Sequence, residues 1–423
     1  MPKNRSKILP RMGLDNVIIG CISKDRLAIE YTQKVVDYLN LRYDAAIPDV
    51  EEAFSAGKFS GGEPDTHFRV PLEGKNVYLF GIPNVASSIS HLLSPEAIVS
   101  RLYFASQTAY ENNASSVNVV CPDLPFSRAD KIYTDFPKDS SAYEKNKGRG
   151  RLAKSVAGMF ALGGVHNLLT LEVHSDLVKS FYDEVGITIA DISPMPVIAH
   201  YLARESPLDF GENGERLLLV CPDRGATDRV DELSSYLRGA YGMEDASTLY
   251  LEKIRKVPNN PDEVEIRVRG TSDNYSEMRG KYAVIVDDIV DTAGTFSTAC
   301  RQIKSKGIEH GTNGRDYPDG ISGILVHPVL AGENYESPMK KLASSNVDEL
   351  AFFNTRPFIE DNLIYPLKQI SSVIRTAYTF AEGIKALEDG DDPERIFYTG
   401  ETLDPQKVER VFNLKRSSSF SLS

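Results

Sequence analysis

The stretch 284–295, Val-Ile-Val-Asp-Asp-Ile-Val-Asp-Thr-Ala-Gly-Thr, limits what this chain can fold into more than any other part of its sequence. It predicts a short apolar strand, a polar turn and the start of a helix. Backbone N–H groups at such a turn, ahead of a helix N-terminus, form an anion site. Acids and threonines lie on and before the turn: Asp287, Asp288, Asp291, Thr292 and Thr295, with Ala293 and Gly294 between the threonines. Paired carboxylates beside an anion site suit sugar hydroxyls or Mg²⁺, which prefers oxygen ligands.

Short β-rich runs alternate with helical periodicity along the rest of the chain. Strands are predicted at 16–21, 76–81, 117–121, 168–172, 216–221, 283–286 and 323–326, and helices at 25–39, 94–112, 153–161 and 297–306. This alternation indicates an α/β fold with parallel sheets covered by helices on both faces. Two comparable halves meet near residue 195, and two prolines within 193–196 suggest a hinge there. Residues 138–151 are predicted as a flexible surface loop, 257–262 as another loop, and the last few residues as disordered.

Composition excludes several functional classes. The chain has 423 residues, enough for two domains. Its formal net charge of −12 argues against a broad nucleic-acid-binding face, which needs clustered Lys and Arg. No run of about 18 apolar residues is present, so no membrane span is expected, and the basic N-terminal segment lacks the apolar core of a secretory signal. The four cysteines are isolated, so free thiols in a reducing cytoplasm are expected.

Three segments of the first half carry residue types that suit a nucleotide. The segment Phe-Ser-Gly-Gly-Glu, from Phe59 to Glu63, sets an aromatic ring beside a glycine turn, and such a ring can stack on a base. Arg128 and Asp130 follow the strand 117–121, and a guanidinium at a strand's carboxyl end can hold phosphate in a fork. His174 follows the strand 168–172, where an imidazole can bind a metal or orient phosphates. Each segment taken alone also fits a plain loop or a structural side chain.

Two segments of the second half complete the series. A Pro-Asp-Arg-Gly turn containing Asp223 follows the strand 216–221. Lys253 and Arg255 lie midway between this turn and the stretch 284–295. Two cations on a mobile loop can close over transferring phosphates and offset the charge that builds up in the transition state. A structural Asp-Gly turn and a solvated charge run are the plain alternatives.

The stretch 284–295 resembles the phosphoribosyl-diphosphate binding loop shared by type I phosphoribosyltransferases and ribose-phosphate pyrophosphokinases. All five further segments follow the order found in the second family, so the chain resembles a divergent ribose-phosphate pyrophosphokinase over roughly residues 16–383. This resemblance implies two type I phosphoribosyltransferase-like domains, each a mostly parallel sheet flanked by helices. Residues 15–192 would form the ATP side, 193–383 the ribose-phosphate side, and 384–423 an acidic, serine-rich extension.

The resemblance also implies an activity and a set of residue roles. The family transfers a pyrophosphoryl group from ATP to the C1 hydroxyl of ribose 5-phosphate, giving phosphoribosyl diphosphate and AMP, and it uses Mg²⁺. Carried over by position, the catalytic residues are Lys253 and Arg255. The ATP-binding residues are Phe59, Glu63, Arg128, Asp130 and His174, and the metal ligands are His174 and Asp223. The ribose-phosphate-binding residues are Asp223, Asp287, Asp288, Asp291, Thr292, Ala293, Gly294 and Thr295.

The family assembles through homodimers into hexamers whose ATP sites are completed by a neighbouring subunit, so a cytoplasmic homo-oligomer without nucleic-acid or membrane partners is expected. Three departures from the family pattern, Gly61, Ala129 and Arg224, keep other functions open. One alternative is the same chemistry on another 5-phosphorylated ribose such as ADP-ribose. A second is a non-catalytic regulatory homologue. A simple phosphoribosyltransferase is disfavoured because it needs only one such domain.

Overall fold

A computed structural model gives the fold of residues 13–83, 93–222, 224–255, 264–268, 278–310, 318–331 and 336–416. Within these ranges, the structure does not describe the side chains of residues 224, 252–255, 264–268, 302 and 306–310. Two mostly parallel sheets flanked by helices account for most of this structure, so the predicted fold class is confirmed.

The first half is built around a five-stranded parallel sheet. Its elements in chain order are β1 (Val17–Cys21), α1 (Arg26–Tyr43), α2 (Val50–Ala53), β2 (Phe54–Lys58), β3 (Pro64–Phe68), β4 (Asn76–Phe80), α3 (Pro95–Glu111), β5 (Ser116–Cys121), α4 (Ser141–Asn146), α5 (Leu152–Leu162), β6 (Asn167–Leu171), α6 (Asp176–Glu184) and β7 (Thr188–Ile192). The strand order is β1-β4-β5-β6-β7, and β2 and β3 form a separate antiparallel hairpin. Helices α3, α5 and α6 cover one face of the sheet, and the central strands are buried because helices cover the other face too.

The second half contains an eight-stranded sheet. Its elements are α7 (Met195–His200), β8 (Leu217–Cys221), α8 (Thr227–Tyr241), β9 (Ser247–Arg255), β10 (Val264–Val268), β11 (Tyr282–Val290), α9 (Gly294–His310), β12 (Gly320–Pro328), α10 (Glu336–Ala343), β13 (Glu349–Phe353), α11 (Ile359–Asn362), α12 (Leu367–Ile370), β14 (Ser371–Ile374) and α13 (Ala377–Asp389). The tail adds β15 (Tyr398–Thr399), β16 (Thr402–Leu403), α14 (Pro405–Val411) and β17 (Leu414–Arg416). The strand order is β10-β9-β8-β11-β12-β13-β14-β17, and only the two edge strands pair antiparallel.

Helix α13 packs on the first sheet although it follows the second sheet in sequence. It lies against α1, and a Cβ on its Gly383 would meet Leu169 and Ile192 of the first sheet at 3.1 Å. Its buried Glu388 accepts hydrogen bonds from Asn76 Nδ2 at 2.8 Å and from Tyr78 Oη at 2.7 Å. One hydrophobic cluster therefore continues from the first sheet through α1, α13, α7 and α8 to the second sheet.

Several predicted boundaries differ from the structure. Helix α13 runs from Ala377 to Asp389 and crosses the expected boundary at residue 383, and β17 beyond it pairs with β14. The residues expected to form a hinge begin helix α7 instead, because proline is tolerated in the first turn of a helix. The predicted strand 283–286 extends to Val290 since it pairs with β12 as far as Pro328. The remaining predicted strands and helices are confirmed within a few residues.

Two further expectations concern the ends and the surface. The segment 138–151, expected as a flexible loop, contains helix α4, which begins after Ser140, whose Oγ accepts a hydrogen bond from the Tyr143 amide. The predicted loop 257–262 and the last seven residues lie outside the described residues. In the part of the chain that the structure describes, no helix is both long enough and apolar enough to span a membrane.

Candidate active site

The carboxyl ends of the parallel strands in the two sheets face each other, and polar residues that follow these ends meet across the cleft. Ligands of open α/β sheets bind at this edge because the loops after the strands converge there. Pairs that join the two halves are Arg128 with Asp291 at 2.7 Å, His174 with Asp288 at 3.2 Å, Arg229 with Glu172 at 3.4 Å, and Arg356 with Asp123 at 2.7 Å. The structure thus brings residues from both halves into one site.

A cavity of about 320 Å³ lies between β11, the start of α9 and the segments that follow β5 and β6. Asp287 and Asp288 line one wall, and Thr295 lies at its edge. Asp130, Lys131 and His174 of the first half line the opposite wall. Carboxylates together with cationic and imidazole groups suit a ligand with hydroxyls and phosphate.

The predicted anion turn has the expected geometry. Asp291 directly follows the strand, Thr292 is exposed, and Ala293 has a φ of 58°, which belongs to the left-handed region. Helix α9 begins at the next residue, Gly294, so the amides of its first turn lack partners within the helix. Oδ1 of Asp291 is buried without a hydrogen bond in the described structure, while its Oδ2 accepts from Arg128. The turn therefore presents amide donors beside a carboxylate.

Asp288 is the centre of a buried charge cluster. Its Oδ2 accepts hydrogen bonds from Arg229 Nη1 at 2.9 Å and lies 3.2 Å from His174 Nδ1. Burial raises the pKa of Asp288, but the hydrogen bond from His174 and the Arg229 guanidinium outweigh burial and hold that pKa well below its usual range. Asp288 is consequently an anion that fixes the His174 ring toward the cavity.

Glu172 forms the other arm of this cluster. Burial raises its pKa to about 7 despite the nearby Arg229 guanidinium, and the neighbouring carboxylates Asp191 and Asp288 act in the same direction as burial. Its backbone φ is 50°, and its carbonyl oxygen accepts a hydrogen bond from His327 Nε2 of the second half at 3.2 Å. The strained turn after β6 is thus held by contacts to the second half.

Strained backbone recurs at this edge of the sheets. Among the described residues, seven non-glycine residues have positive φ, and four of them lie in segments that form the site: Phe126, Glu172, Ala293 and Leu330. Such conformations cost about 1–3 kcal/mol each and persist only where the surroundings fix them. Their clustering agrees with a functional role for the loops that follow the strands.

A second cavity of about 890 Å³ adjoins the first on the side of β5. Its apolar wall includes Leu124, Pro125 and Phe126. Arg128, with about half of its side chain exposed, also lines it. Asp130, Lys131 and His174 line both cavities, so the two cavities share one wall. Asp130 is held in place by a hydrogen bond from Ser175 Oγ at 2.7 Å.

The donor set fits a magnesium ion only in part. Over the described ranges, no group of three or more His, Cys, Asp or Glu side chains is arranged to hold a metal ion. Mg²⁺, however, is usually held by one or two protein ligands together with substrate phosphates. His174 lies on the cavity wall, whereas Asp223 lies outside the described residues.

Six predicted site residues line neither cavity in the described structure: Phe59, Glu63, Asp291, Thr292, Ala293 and Gly294. Phe59 and Glu63 lie in the turn of the β2–β3 hairpin, where the Phe59 amide donates to the Glu63 carbonyl at 2.9 Å, and both side chains are exposed. Neither residue lines either cavity. The backbones of Lys253 and Arg255 belong to β9, which pairs with β10, instead of an irregular loop. Their side chains are outside the description.

Sequence reasoning assigned no role to several residues at this edge. Arg229 lies shortly after the Pro-Asp-Arg-Gly turn that follows the strand 216–221, and this position could have indicated a place at the site. Arg356, His327 and Asp123 follow or end strands too, but they lie in segments without a distinctive pattern. Only the folded chain shows that Asp123 and Arg356 meet.

Three comparisons with known proteins bear on identity. Residues 197–310 match the family model described as phosphoribosyl transferase domain. The chain is 25% identical over 372 residues to ribose-phosphate pyrophosphokinase A of Dictyostelium discoideum, covering 87% of this chain and 94% of that protein. It is 26% identical over 321 residues to ribose-phosphate pyrophosphokinase 1 of Streptococcus pneumoniae serotype 4, covering 75% and 81%.

A solved structure agrees at the level of the fold. The crystal structure of phosphoribosylpyrophosphate synthetase from Mycobacterium smegmatis superposes with a TM-score of 0.65 and 18% identity, covering 89% of this chain and 99% of that one. The similarity of fold therefore extends over most of the chain. Together with the order of the sequence segments, these matches show that the chain is similar to ribose-phosphate pyrophosphokinases over most of its length.

Proposed function

We propose that this protein transfers a pyrophosphoryl group from ATP to the C1 hydroxyl of ribose 5-phosphate, giving phosphoribosyl diphosphate and AMP. The observation that carries the proposal is the direct contact between the two predicted substrate sides. Arg128 of the ATP side pairs with Asp291 of the sugar side, and His174 pairs with Asp288. Residues that would hold the two substrates are therefore in direct contact, which would bring the substrates close together, as group transfer requires.

The smaller cavity suits the sugar phosphate. Asp287 and Asp288 would accept hydrogen bonds from the ribose hydroxyls. The turn from Thr292 to Thr295 would bind the 5-phosphate through its backbone amides and the N-terminus of α9. Its volume of about 320 Å³ suits a small ligand of this kind.

The larger cavity suits ATP, and the shared wall marks the transfer point. Arg128 would contact the nucleotide, while Asp130 and His174, which line both cavities, would lie near its phosphates. In the transfer, the C1 oxygen forms a bond to the β-phosphorus, and the bond between that phosphorus and the oxygen bridging to the α-phosphate breaks, so AMP leaves.

Such transfer depends on positioning and charge neutralisation more than on covalent help from the protein. His174 and Asp223 would hold Mg²⁺, which would supply positive charge to neutralise part of the phosphate charge. Lys253 and Arg255 would approach from β9 and offset charge on the transferring group.

We also propose a homo-oligomer. Phe59 and Glu63 are exposed at the tip of the β2–β3 hairpin and line neither cavity of their own chain. The family resemblance implies ATP sites completed by a neighbouring subunit, and an exposed aromatic side chain at a hairpin tip is consistent with that arrangement.

The activity is tested by measuring AMP release from ATP with ribose 5-phosphate and, separately, with ADP-ribose. We expect AMP with ribose 5-phosphate. AMP with ADP-ribose alone would identify a different acceptor, and no AMP with either would contradict the proposed reaction.

Lys253→Ala tests the assignment of the catalytic cation. We expect turnover to fall by about 10²–10³-fold, as for removal of one group that stabilises transition-state charge, with ATP binding largely kept. Lys340→Ala is the matched control, since Lys340 is an exposed residue of α10 that pairs with Glu336 and lines neither cavity. Turnover that survives Lys253→Ala would show that the assignment is wrong.

A further inference from the structure

His327 lies near the carboxyl end of β12, the strand beside the one that carries Asp288. The residue is 2% exposed, and it pairs in register with Ile289 of β11. It lines neither cavity, so it would not touch a substrate held there. Its Nε2 nonetheless reaches the first half of the chain, where it lies 3.2 Å from the carbonyl oxygen of Glu172. This contact joins the two halves two residues before His174.

The chemistry of the two groups settles the direction of this hydrogen bond. A carbonyl oxygen can only accept, so Nε2 of His327 carries the hydrogen and donates it to Glu172. The other ring nitrogen, Nδ1, lies 3.1 Å from Oγ1 of Thr355, and this buried hydroxyl also lies 2.8 Å from the Val326 carbonyl. Both ring nitrogens of His327 are therefore engaged, and the ring cannot turn its donor away from Glu172 without breaking both contacts.

The turn after β6, which His327 reaches, is held from two sides. Its amides bond to its own half, since the Glu172 amide donates to the Ile192 carbonyl at 3.3 Å and the Val173 amide donates to Asp191 Oδ1 at 2.9 Å. The Glu172 carbonyl bonds to the second half, and the φ of Glu172 is 50°. A left-handed conformation is unfavourable for a residue with a Cβ and persists only where the surroundings fix it. The hydrogen bond from His327 is one of the contacts that fix it.

The position of His174 depends on the same turn. Its Nδ1 lies 3.2 Å from Asp288 Oδ2, and the residue lines both cavities. Relaxation of Glu172 to a negative φ would reorient the chain two residues before His174 and carry the imidazole away from this place. On the basis of the proposed function, in which His174 would hold Mg²⁺ and phosphates, we propose that His327 is a positioning residue. It acts through the Glu172 carbonyl to keep His174 on the wall that the two cavities share.

Two substitutions of His327 separate the hydrogen bond from the burial of a polar side chain. The amide nitrogen of asparagine takes about the place of Nδ1, whereas that of glutamine reaches the place of Nε2. His327→Gln can therefore still donate to the Glu172 carbonyl, and His327→Asn cannot. His200→Asn is the matched control, because His200 is also buried, bonds through Nδ1 to Tyr241 at 3.3 Å and lines neither cavity.

The first measurement needs neither turnover nor metal. The full chain is labelled with ¹³C at Cε1 of histidine, and the His174 resonance is identified by its loss in His174→Ala. Spectra are recorded at one pH without Mg²⁺ or nucleotide. We expect His327→Asn to shift the His174 resonance, and His327→Gln and His200→Asn to leave it in place. An unshifted resonance in His327→Asn, or an equal shift in His327→Gln, would overturn the inference.

Thr355→Val is the second variant, which decides the matter if His327→Asn does not fold. It leaves His327 in place and removes the hydroxyl that lies 3.1 Å from Nδ1. We expect a smaller shift of the His174 resonance in the same spectra. A His174 resonance at its unaltered position would count against the role of His327.

Kinetics tests whether the contact serves the proposed reaction. Loss of a group that orients a ligating residue lowers activity by about 10–100-fold. We expect His327→Asn to lower kcat by this factor and to change KM for ribose 5-phosphate little, since Asp287 and the anion turn are untouched. In a His174→Ala background the same substitution should have no further effect on the residual kcat. A loss that persists in full in that background would show that His327 does not act through His174.

The two proposals fail separately. A shifted His174 resonance in His327→Asn, in a chain that releases no AMP, would contradict only the proposed reaction. AMP release by the unaltered chain, with an unmoved His174 resonance in His327→Asn, would contradict only the role of His327.

Discussion

Replacing Arg356 with methionine should destabilise the protein strongly, because it leaves a buried carboxylate without its counterion. Arg356 donates from Nε and pairs through Nη2 with Asp123 Oδ2, both at 2.7 Å. The side chains are only 11% and 8% exposed. Asp123 follows β5 of the first sheet and Arg356 follows β13 of the second, so the pair also joins the two halves. Methionine keeps most of the apolar stem and removes the charge alone.

The expected magnitude follows from burial. Breaking a buried ion pair by removing one partner costs about 3–5 kcal/mol, whereas a comparable exposed pair is worth about 0–1 kcal/mol. We therefore expect Arg356→Met to lower the free energy of unfolding by about 3 kcal/mol or more. The double variant Asp123→Asn with Arg356→Met should cost less than Arg356→Met alone, since the uncompensated charge is then gone.

The pH dependence of stability provides a second, independent test of this ion pair. Burial raises the pKa of Asp123, but the Arg356 guanidinium and neighbouring cations outweigh it and hold that pKa below the usual range. A depressed pKa contributes stability above the unfolded value of 3.8, and this stability is lost as the pH falls through the folded pKa. Without Arg356, burial is opposed only by His327 and Arg128, so the pKa of Asp123 rises and the variant gains less stability from ionised Asp123 as the pH rises. The gap between the unaltered protein and Arg356→Met should therefore widen from pH 4 to pH 8.

Urea denaturation followed by circular dichroism at both pH values measures these quantities, with the double variant completing a double-mutant cycle. Additive single and double effects would refute the reasoning, because they would mean that the two side chains do not interact. A gap that stays constant between pH 4 and pH 8 would refute the assignment of a buried carboxylate.

Two further predictions concern the first sheet and the anion turn. Burial raises the pKa of Glu388 above its unfolded value of 4.5 although Asn76 and Tyr78 donate hydrogen bonds to it, so the stability that Glu388 contributes is lost as the pH rises. Glu388→Gln should therefore flatten the fall in the urea midpoint above pH 4.5. An unchanged slope would contradict this assignment. A Cβ at Gly323 would lie 2.4 Å from Cζ of Phe296, the residue that follows the anion turn. Gly323→Ala should therefore lower the free energy of unfolding by about 1–3 kcal/mol and weaken ribose 5-phosphate binding. A melting temperature equal to that of the unaltered protein would show that the ring has room to move.

Local features of this fold could be predicted from the sequence because their causes are local. The anion turn is an example: apolar residues before it predict β11, and Gly294 with the following periodicity predicts α9. Asp25 and Ser94 also begin the predicted helices α1 and α3, where each side chain accepts from a backbone amide of the first turn. Their side chains act within three residues, so no knowledge of the tertiary structure was needed.

The rest depends on contacts distant in sequence. Nothing near Gly383 indicates that α13 packs against Leu169 and Ile192, about 200 residues earlier, because an amphipathic helix does not specify which sheet it covers. For the same reason the boundary expected at residue 383 falls inside a helix. The strand extension to Val290 depends on the length of β12, which sequence periodicity alone does not give.

The charges at the cleft fall into two classes, and this difference bears on how the proposed substrates would enter. Arg128 and Asp291 are 54% and 33% exposed, so their pair is worth about 0–1 kcal/mol, and a phosphate could replace Asp291 as the partner of Arg128 at little cost. Asp288 and Arg229 are 12% and 21% exposed and also bind residues of the other half, so separating them would leave a largely buried charge. The exposed pair is therefore the one that ligands can exchange, while the buried cluster keeps His174 in place. Both sides of the cleft can thus accept substrates without losing the contact that aligns them.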